Sequence, residues 1–355
     1  LHVRSRRQRQ MCIRDRLCAK WMPRKGTKAN IIRRYLRVSP KQYRKLLVGL
    51  TNVVETKMCA KDWSSIEYSK LPSLASSRYQ KTFMKNDEER YEEYKRALVG
   101  GKTTINAGAV YPYDIIKSIK YGGEKDVAQA QWESLPNYME GISERVLPVV
   151  DVSGSMTTPA GNNGNVTCMD ISTSLGLYIA ERNKGVFKNA FITFSSRPQL
   201  QLLKGSLADR LNQLERADWG MNTDLKATFE LILDQAVKHN VPLSEMPTKV
   251  LVLSDMEFDE AIGSRMYDIS DWNPTAQEMI KGMYEEAGYE MPGIVYWNIQ
   301  SRQDNVPTRF DEMGTALVSG FSPSIMKSIL SCEELTPYKM MMETIGSTRY
   351  EPIKV

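Results

Sequence analysis

Residues 145–155 read RVLPVVDVSGS, a short apolar run that stops abruptly in small polar residues. Its length and lack of alternation suit a strand buried on both faces of a parallel sheet. The chain beyond it takes turns between strand and helix patterns. A helix is expected in CMDISTSLGLYIAERN (168–183), a strand in NAFITFSS (189–196), and helices in SLADRLNQLERA (206–217) and LKATFELILDQAVKHN (225–240). A strand follows in TKVLVLSDMEFD (248–259), a helix in TAQEMIKGMYEEA (275–287), strands in GIVYWNIQ (293–300) and TALVSGF (315–321), and a helix in SPSIMKSIL (322–330). Strand and helix alternating at these lengths predict an α/β domain over residues 145–355, a doubly wound, mostly parallel sheet with helices on both faces.

Upstream the pattern is helical. Ser39 is a natural N-cap and Pro40 suits the first helical position, with Leu46, Leu47, Leu50, Val53, Val54 and Met58 recurring at helical spacing as a core face. NDEERYEEYKRAL (86–98) reads as a helix capped by Asn86, with acids in its first turn and Gly100–Gly101 as its stop. A further helix is expected near Asp114 in YPYDIIKSI. Residues 17–144 therefore read as an all-α region that begins partway through its fold. Residues 1–16, LHVRSRRQRQMCIRDR, have no periodicity, resemble a translated sequencing adapter, and are set aside as an artefact or disordered segment.

Composition narrows the function classes. The 355 residues are 41% hydrophobic and 25% charged, ordinary globular values. No apolar run approaches the roughly 20 residues that cross a bilayer, and no secretory leader pattern is present. Five scattered cysteines without CxxC pairs suit free thiols in a reducing compartment, so a cytoplasmic protein is expected. With His2 and His239 as the histidines, zinc is disfavoured. The net charge of +6 conceals an asymmetry: residues 1–50 carry sixteen Lys/Arg against Asp15, +15 there, which leaves −9 for the rest. Residues 17–50 keep ten of those cations and no acid. Arg24, Lys25, Lys28, Arg33, Arg34, Arg37, Lys41, Arg44 and Lys45 are thus candidate contacts to nucleic acid or another polyanion, because paired phosphates release counterions and supply sequence-independent affinity. A plain solvated face is the competing reading.

In an open α/β sheet, ligands sit outside the carboxyl ends of the strands where strand order reverses. Three segments place oxygen donors at such positions. DVSGS offers Asp151, Ser153 and Ser155 from one tight loop in which Gly154 is expected to let the backbone turn sharply. SDMEFD offers Asp255 at a strand end, and WGMNTD offers Thr223 and Asp224 before a helix. These are hard oxygen donors, a set that points to Mg2+ first, with Mn2+ or Ca2+ as alternatives.

A phosphatase of the haloacid dehalogenase type also places Asp, Ser/Thr and Asp at three strand ends. Its nucleophile loop, however, needs a second Asp two residues after the first as general acid, and Ser153 stands there. Lys226 and Lys249 are the lysines such an enzyme could use, yet a lysine-rich chain offers one anyway. Neither G-x-G-x-x-G nor a P-loop occurs, and Gly100–Gly101–Lys102–Thr103 reads as a helix stop. Binding rather than catalysis is the expectation.

The DxSxS loop, the Thr in a second loop and the Asp in a third resemble the metal-ion-dependent adhesion site of von Willebrand factor A domains. That resemblance implies coordination through the hydroxyls of Ser153, Ser155 and Thr223, with Asp151 and Asp255 holding the ion largely through water. It also implies an open position that takes an acidic residue from a protein partner. KWMPRKGTK (20–28), SPKQYRKLL (39–47), VVETKMCAKDWSSIEYSKLPSLA (53–75) and INAGAVYPYDI (105–115), with the DVSGSM and LSDMEFD segments, resemble the "domain of unknown function 2828" family. The helical-plus-A-domain architecture it implies is similar to that of the Ro autoantigen (TROVE) family, whose helical repeats bind RNA. No membrane partner is expected.

Overall fold

The structure is a computed structural model. It describes residues 18–51, 53–160, 166–195, 197–216, 225–255, 274–300, 315–320, 338, 341–342 and 345–346. The chain forms two compact units, residues 1–106 and 107–355.

The first unit is helical: α1 (Gly26–Tyr35), α2 (Pro40–Leu50), α3 (Val54–Cys59), α4 (Ser73–Arg78), α5 (Gln80–Asn86) and α6 (Glu88–Val99). The Ser39 cap forms as expected. Gln42 N donates to Ser39 Oγ at 3.2 Å and Ser39 N donates to Gln42 Oε1 at 2.8 Å, with Pro40 at the first position. Tyr43 and Leu47, four residues apart, pack with Ala19 and Ala29 in a small core. The periodicity expected through Met58 does not continue, because α2 ends at Leu50 and Leu46 and Leu50 are exposed.

Around α5 and α6 the core is aromatic. Tyr68 lies edge-on to Phe83 and to Tyr91, both with ring centroids 5.1 Å apart. Asn86 is not the cap of α6; it is the last residue of α5. Asp87 occupies the cap position, and its carboxylate accepts from the Tyr68 hydroxyl at 2.6 Å and pairs with Arg90 at 2.8 Å. A tertiary partner has taken the carboxylate from the local backbone. The stop is as expected, with Gly100 as C-cap and Gly101 at φ +67°.

The second unit contains α7 (Pro112–Lys120), α8 (Lys125–Glu133), β1 (Val146–Asp151), α9 (Cys168–Arg182), β2 (Ala190–Phe194), β3 (Gln199–Leu202), α10 (Leu207–Glu215), α11 (Leu225–Lys238), β4 (Lys249–Ser254), α12 (Pro274–Glu286), β5 (Gly293–Asn298) and β6 (Thr315–Ser319). The six strands lie in the order β3-β2-β1-β4-β5-β6. All neighbours are parallel except β2 and β3, which form an antiparallel pair.

The strands bury both faces, which is why they read as continuous apolar runs. Val146, Val150, Leu251, Leu253, Val295 and Trp297 face α7–α10, while Leu147, Val149, Val250, Val252, Ile294 and Tyr296 face α11 and α12. Helix α9 is apolar nearly all round because it is covered on both sides, by the sheet and by α7. It sits so close to the sheet that a Cβ on Gly176 would fall 2.6 Å from both Val150 Cγ2 and Phe191 Cε2. Packing therefore joins α7 and α8 to the sheet unit, although their sequence is helical like the region before them. Strand β3 was not expected: it is a four-residue edge strand with Gln at alternate positions, reached from β2 by a short turn. The helix expected over 322–330 lies outside the described residues. Met341 and Met342 in the last helical turns are exposed.

Candidate metal centre

β1 is flanked by β2 on one side and β4 on the other, so the carboxyl ends of β1 and β4 meet where strand order reverses. Pairing of Val150 with Leu253 sets Asp151 level with Ser254 and leaves Asp255 as the first residue beyond β4. Residues a hundred positions apart thereby share one end of the sheet.

A hydrogen-bonded chain runs through the cluster. Asp151 Oδ1 accepts from Ser153 N at 2.9 Å, and Asp151 Oδ2 accepts from Ser254 Oγ at 2.5 Å. Ser153 Oγ and Ser155 Oγ are 3.0 Å apart, and Ser155 Oγ donates to Asp255 Oδ1 at 3.4 Å. Asp151 is 0% exposed, Asp255 1% and Ser153 5%. Burying two carboxylates is costly unless charge and hydrogen bonds compensate them.

The loop that carries the serines is held firmly. Ser153 precedes a 3-10 turn, Gly154–Thr157, in which Met156 is fully buried. Thr158 O accepts from Cys168 N at 3.0 Å, and Ala160 N donates to Val166 O at 2.8 Å, tying the loop to the start of α9. That start is capped by a reciprocal pair, Asp170 N to Thr167 Oγ1 at 3.1 Å and Thr167 N to Asp170 Oδ2 at 3.3 Å. Lys120 of α7 closes on Asp170 at 2.9 Å. Burial pushes the Asp170 carboxyl up, but the Lys120 and Thr167 bonds outweigh it and hold the group below its ordinary value.

Gly154 does not play the part expected of it. Its backbone is outside the left-handed region and a Cβ there would meet open space, so the turn needs no glycine. Ser254 is the partner that sequence reasoning passed over, although it stands in the quoted LSDMEFD segment. Two residues beyond β5, whose Asn298 pairs with Ser254, buried Gln300 donates to Thr158 Oγ1 and Pro159 O, both at 3.3 Å. Thr223, with Asp224, lies outside the described residues.

The donor set fits a hard divalent cation: carboxylate and hydroxyl oxygens from two strand ends, without His or Cys. Only two of the donors are acids. In keeping with that, the described residues contain no group of three or more His, Cys, Asp or Glu able to hold a metal. Asp151, Ser153, Ser155 and Asp255 are linked by hydrogen bonds at one end of the sheet.

The nine basic positions all lie in the helical unit, around α1 and α2. Eight are exposed and Arg33 is half-buried. Among the described residues none of the nine forms an ion pair; the Arg24 guanidinium donates to Thr51 Oγ1 at 3.2 Å and that of Arg33 to Asn30 Oδ1 at 3.3 Å.

Strand order, the antiparallel β3 edge and an oxygen cluster at the β1/β4 switch define the second unit as a von Willebrand A-like α/β domain. The chain belongs to the family described as "Domain of unknown function (DUF7788)", whose profile matches residues 145–351. The "Domain of unknown function (DUF2828)" profile matches residues 8–142, so the resemblance read from the sequence holds for the helical half and the α/β half answers to a second description. An uncharacterised protein of Acanthamoeba polyphaga mimivirus is 27% identical over 366 residues, covering 95% of this chain and 61% of the viral protein. The chain thus spans about three-fifths of that relative's length. Among solved structures, the Deinococcus radiodurans RO (RSR) protein aligns with a TM-score of 0.36 at 13% identity, over 96% of this chain and 77% of that one. An aerotolerance-related membrane protein from Bacteroides fragilis aligns with a TM-score of 0.30 at 14% identity, over 53% of this chain and 96% of that one. Among the described residues no helix is long and apolar enough to cross a membrane.

Proposed function

We propose that the protein is a cation-dependent binding protein whose α/β unit holds Mg2+, or Mn2+ or Ca2+ in its place, and uses it to grip an acidic residue of a protein partner in the cytoplasm. The observation that carries this reading is the convergence of Asp151, Ser153, Ser155 and Asp255 at the switch point, with both carboxylates buried. Ser153 and Ser155 would ligate through hydroxyls, joined by Thr223, while Asp151 and Asp255 would hold the ion through water. A bound cation would supply an electrophilic position for a carboxylate. The chain's part is to keep that shell poor in direct negative charge.

Catalysis of the phosphatase kind is less well supported. Lys249 opens β4, six residues and about 20 Å of strand from Asp255, and pairs with Glu144 at 3.5 Å. Lys226 pairs with Glu230 at 3.6 Å on α11. Neither offers a buried ammonium beside Asp151.

A second reading concerns the helical unit. Nine cations that form no ion pair among the described residues favour RNA as its partner, with affinity that falls steeply as salt rises.

The metal reading is tested by loading the protein with Mn2+ and following the relaxation of acetate methyl protons. Enhancement beyond that of free Mn2+, absent from Ser155→Ala, is expected for an ion with an open position. No Mn2+ retained on the wild type would overturn it.

A further inference from the structure

Arg33 and Arg34 sit in the last turn of α1, where the helix dipole favours them, but four other cations of the helical unit sit where they do not help the fold. Lys25 and Lys28 lie at the N-terminus of α1, and Lys41 and Arg44 in the first turns of α2, while neither helix has an acid in its first turn. Positive charge at that end opposes the helix dipole. No acid occurs anywhere from Arg16 to Val54, so the charge is not offset along the chain. A partner that brings negative charge would relieve both costs.

The same stretch shows aromatic and apolar surface. Trp21 is 78% exposed and Tyr35 87%, and Ile31 is exposed between them. A single exposed aromatic needs no explanation. Here two rings and Ile31 are interspersed with Arg24, Lys28 and Arg34 inside fifteen residues, Trp21 to Tyr35. On α1 the buried positions are Ala29 and, in part, Ile32 and Arg33, so Ile31, Arg34 and Tyr35 share the opposite face at spacings of three and four. Across α2, burial of Tyr43 and Leu47 turns Lys41, Arg44, Lys45 and Val48 outward in the same way. Flat rings set among cations that form no ion pair among the described residues match a strand whose bases are free to stack and whose phosphates lie alongside. A duplex keeps its bases inside and offers such rings nothing.

We infer that the helical unit binds single-stranded polynucleotide, with Trp21 and Tyr35 as stacking platforms and the α1 and α2 cations along the phosphates. The inference rests on the RNA reading of that unit and specifies the strandedness and the residues. Both rings are so exposed that replacing them removes little packing. Their loss should therefore report on the ligand.

The full chain is titrated with a labelled 20-nucleotide unstructured RNA, the matching duplex, and inorganic polyphosphate, at several salt concentrations. The single strand is expected to bind at least tenfold more tightly than duplex or polyphosphate. Trp21→Ala and Tyr35→Ala are each expected to weaken it by about 5- to 150-fold, the span of one lost base stack, and to leave polyphosphate binding unchanged. Lys41→Gln with Lys45→Gln should weaken all three ligands and flatten the salt dependence by about 0.7 in log–log slope per lost single-strand phosphate contact. Equal affinity for the three ligands, or aromatic variants that bind the single strand like wild type, would overturn the stacking inference and leave the polyanion reading standing. No binding of any of the three at low salt would overturn both.

Discussion

Asp151→Asn isolates the charge at the candidate metal centre. The side chain is fully buried and its two oxygens accept from Ser153 N and Ser254 Oγ. Alanine would strand both donors, at about 1–3 kcal/mol each, and could unfold the domain for reasons unrelated to a metal. Asparagine keeps the shape: its carbonyl still accepts from Ser153 N, and the Ser254 hydroxyl can rotate to accept from the new amide. The variant should therefore lie within about 1 kcal/mol of wild type in EDTA, the difference between a charged and a neutral hydrogen bond. Cation binding to the folded state alone contributes about 2.7 kcal/mol at a hundredfold excess over Kd. For a domain the size of residues 107–355 that raises Tm by about 5–10 °C. Calorimetric scans in EDTA and in Mg2+, Mn2+ or Ca2+ read the shift directly, with the α/β transition followed separately from the helical unit's. Wild type should show the rise and Asp151→Asn less than about a quarter of it. A wild-type Tm equal in EDTA and in all three cations, or an Asn variant with the full rise, refutes the reasoning.

Three further outcomes are expected. Ser254→Ala removes the bond to Asp151 Oδ2 and should cost about 1–2 kcal/mol in urea unfolding while reducing the cation-dependent rise in Tm. Gly176→Ala places a methyl 2.6 Å from Val150 and Phe191 and should destabilise the α/β unit by about 1–3 kcal/mol, with little effect on the helical unit's transition. Asp170 has a folded pKa below its unfolded value of about 3.9, so its stabilising contribution is present above that pH and is lost as pH falls through the lowered folded value. Because Lys120 supplies much of that shift and is partly solvated, Lys120→Met should remove at most about 1 kcal/mol at neutral pH and move the acid-unfolding midpoint upward. An unchanged midpoint would exclude the pair from acid stability.

Local chemistry was legible wherever a residue's neighbours in sequence were also its neighbours in space. The Ser39–Gln42 capping box, the Gly100–Gly101 stop and the apolar runs of β1, β4 and β5 follow from adjacent residues and from burial on both faces. Asn86 shows where that reasoning ended: Asp87 follows it as the cap position, engaged by Arg90 three residues on and by Tyr68 from 19 positions away. Edge strand β3 was missed because alternating Gln and Leu over four residues is too short a pattern to stand out from a turn.

The donor types of the candidate metal centre were set by sequence alone, since Asp151, Ser153 and Ser155 are confined to one loop by their spacing and hard oxygens select hard cations. The motif resemblance already grouped Asp255 with them, but only the tertiary structure disclosed Ser254 as the support of Asp151 and the contact of Ser155 with Asp255, because strand register, rather than chain distance, decides which ends lie side by side. It likewise showed that Gly154 needs no special conformation, and that α7 and α8 pack with the sheet. Burial is a property of what covers a surface, and no single segment carries its own cover.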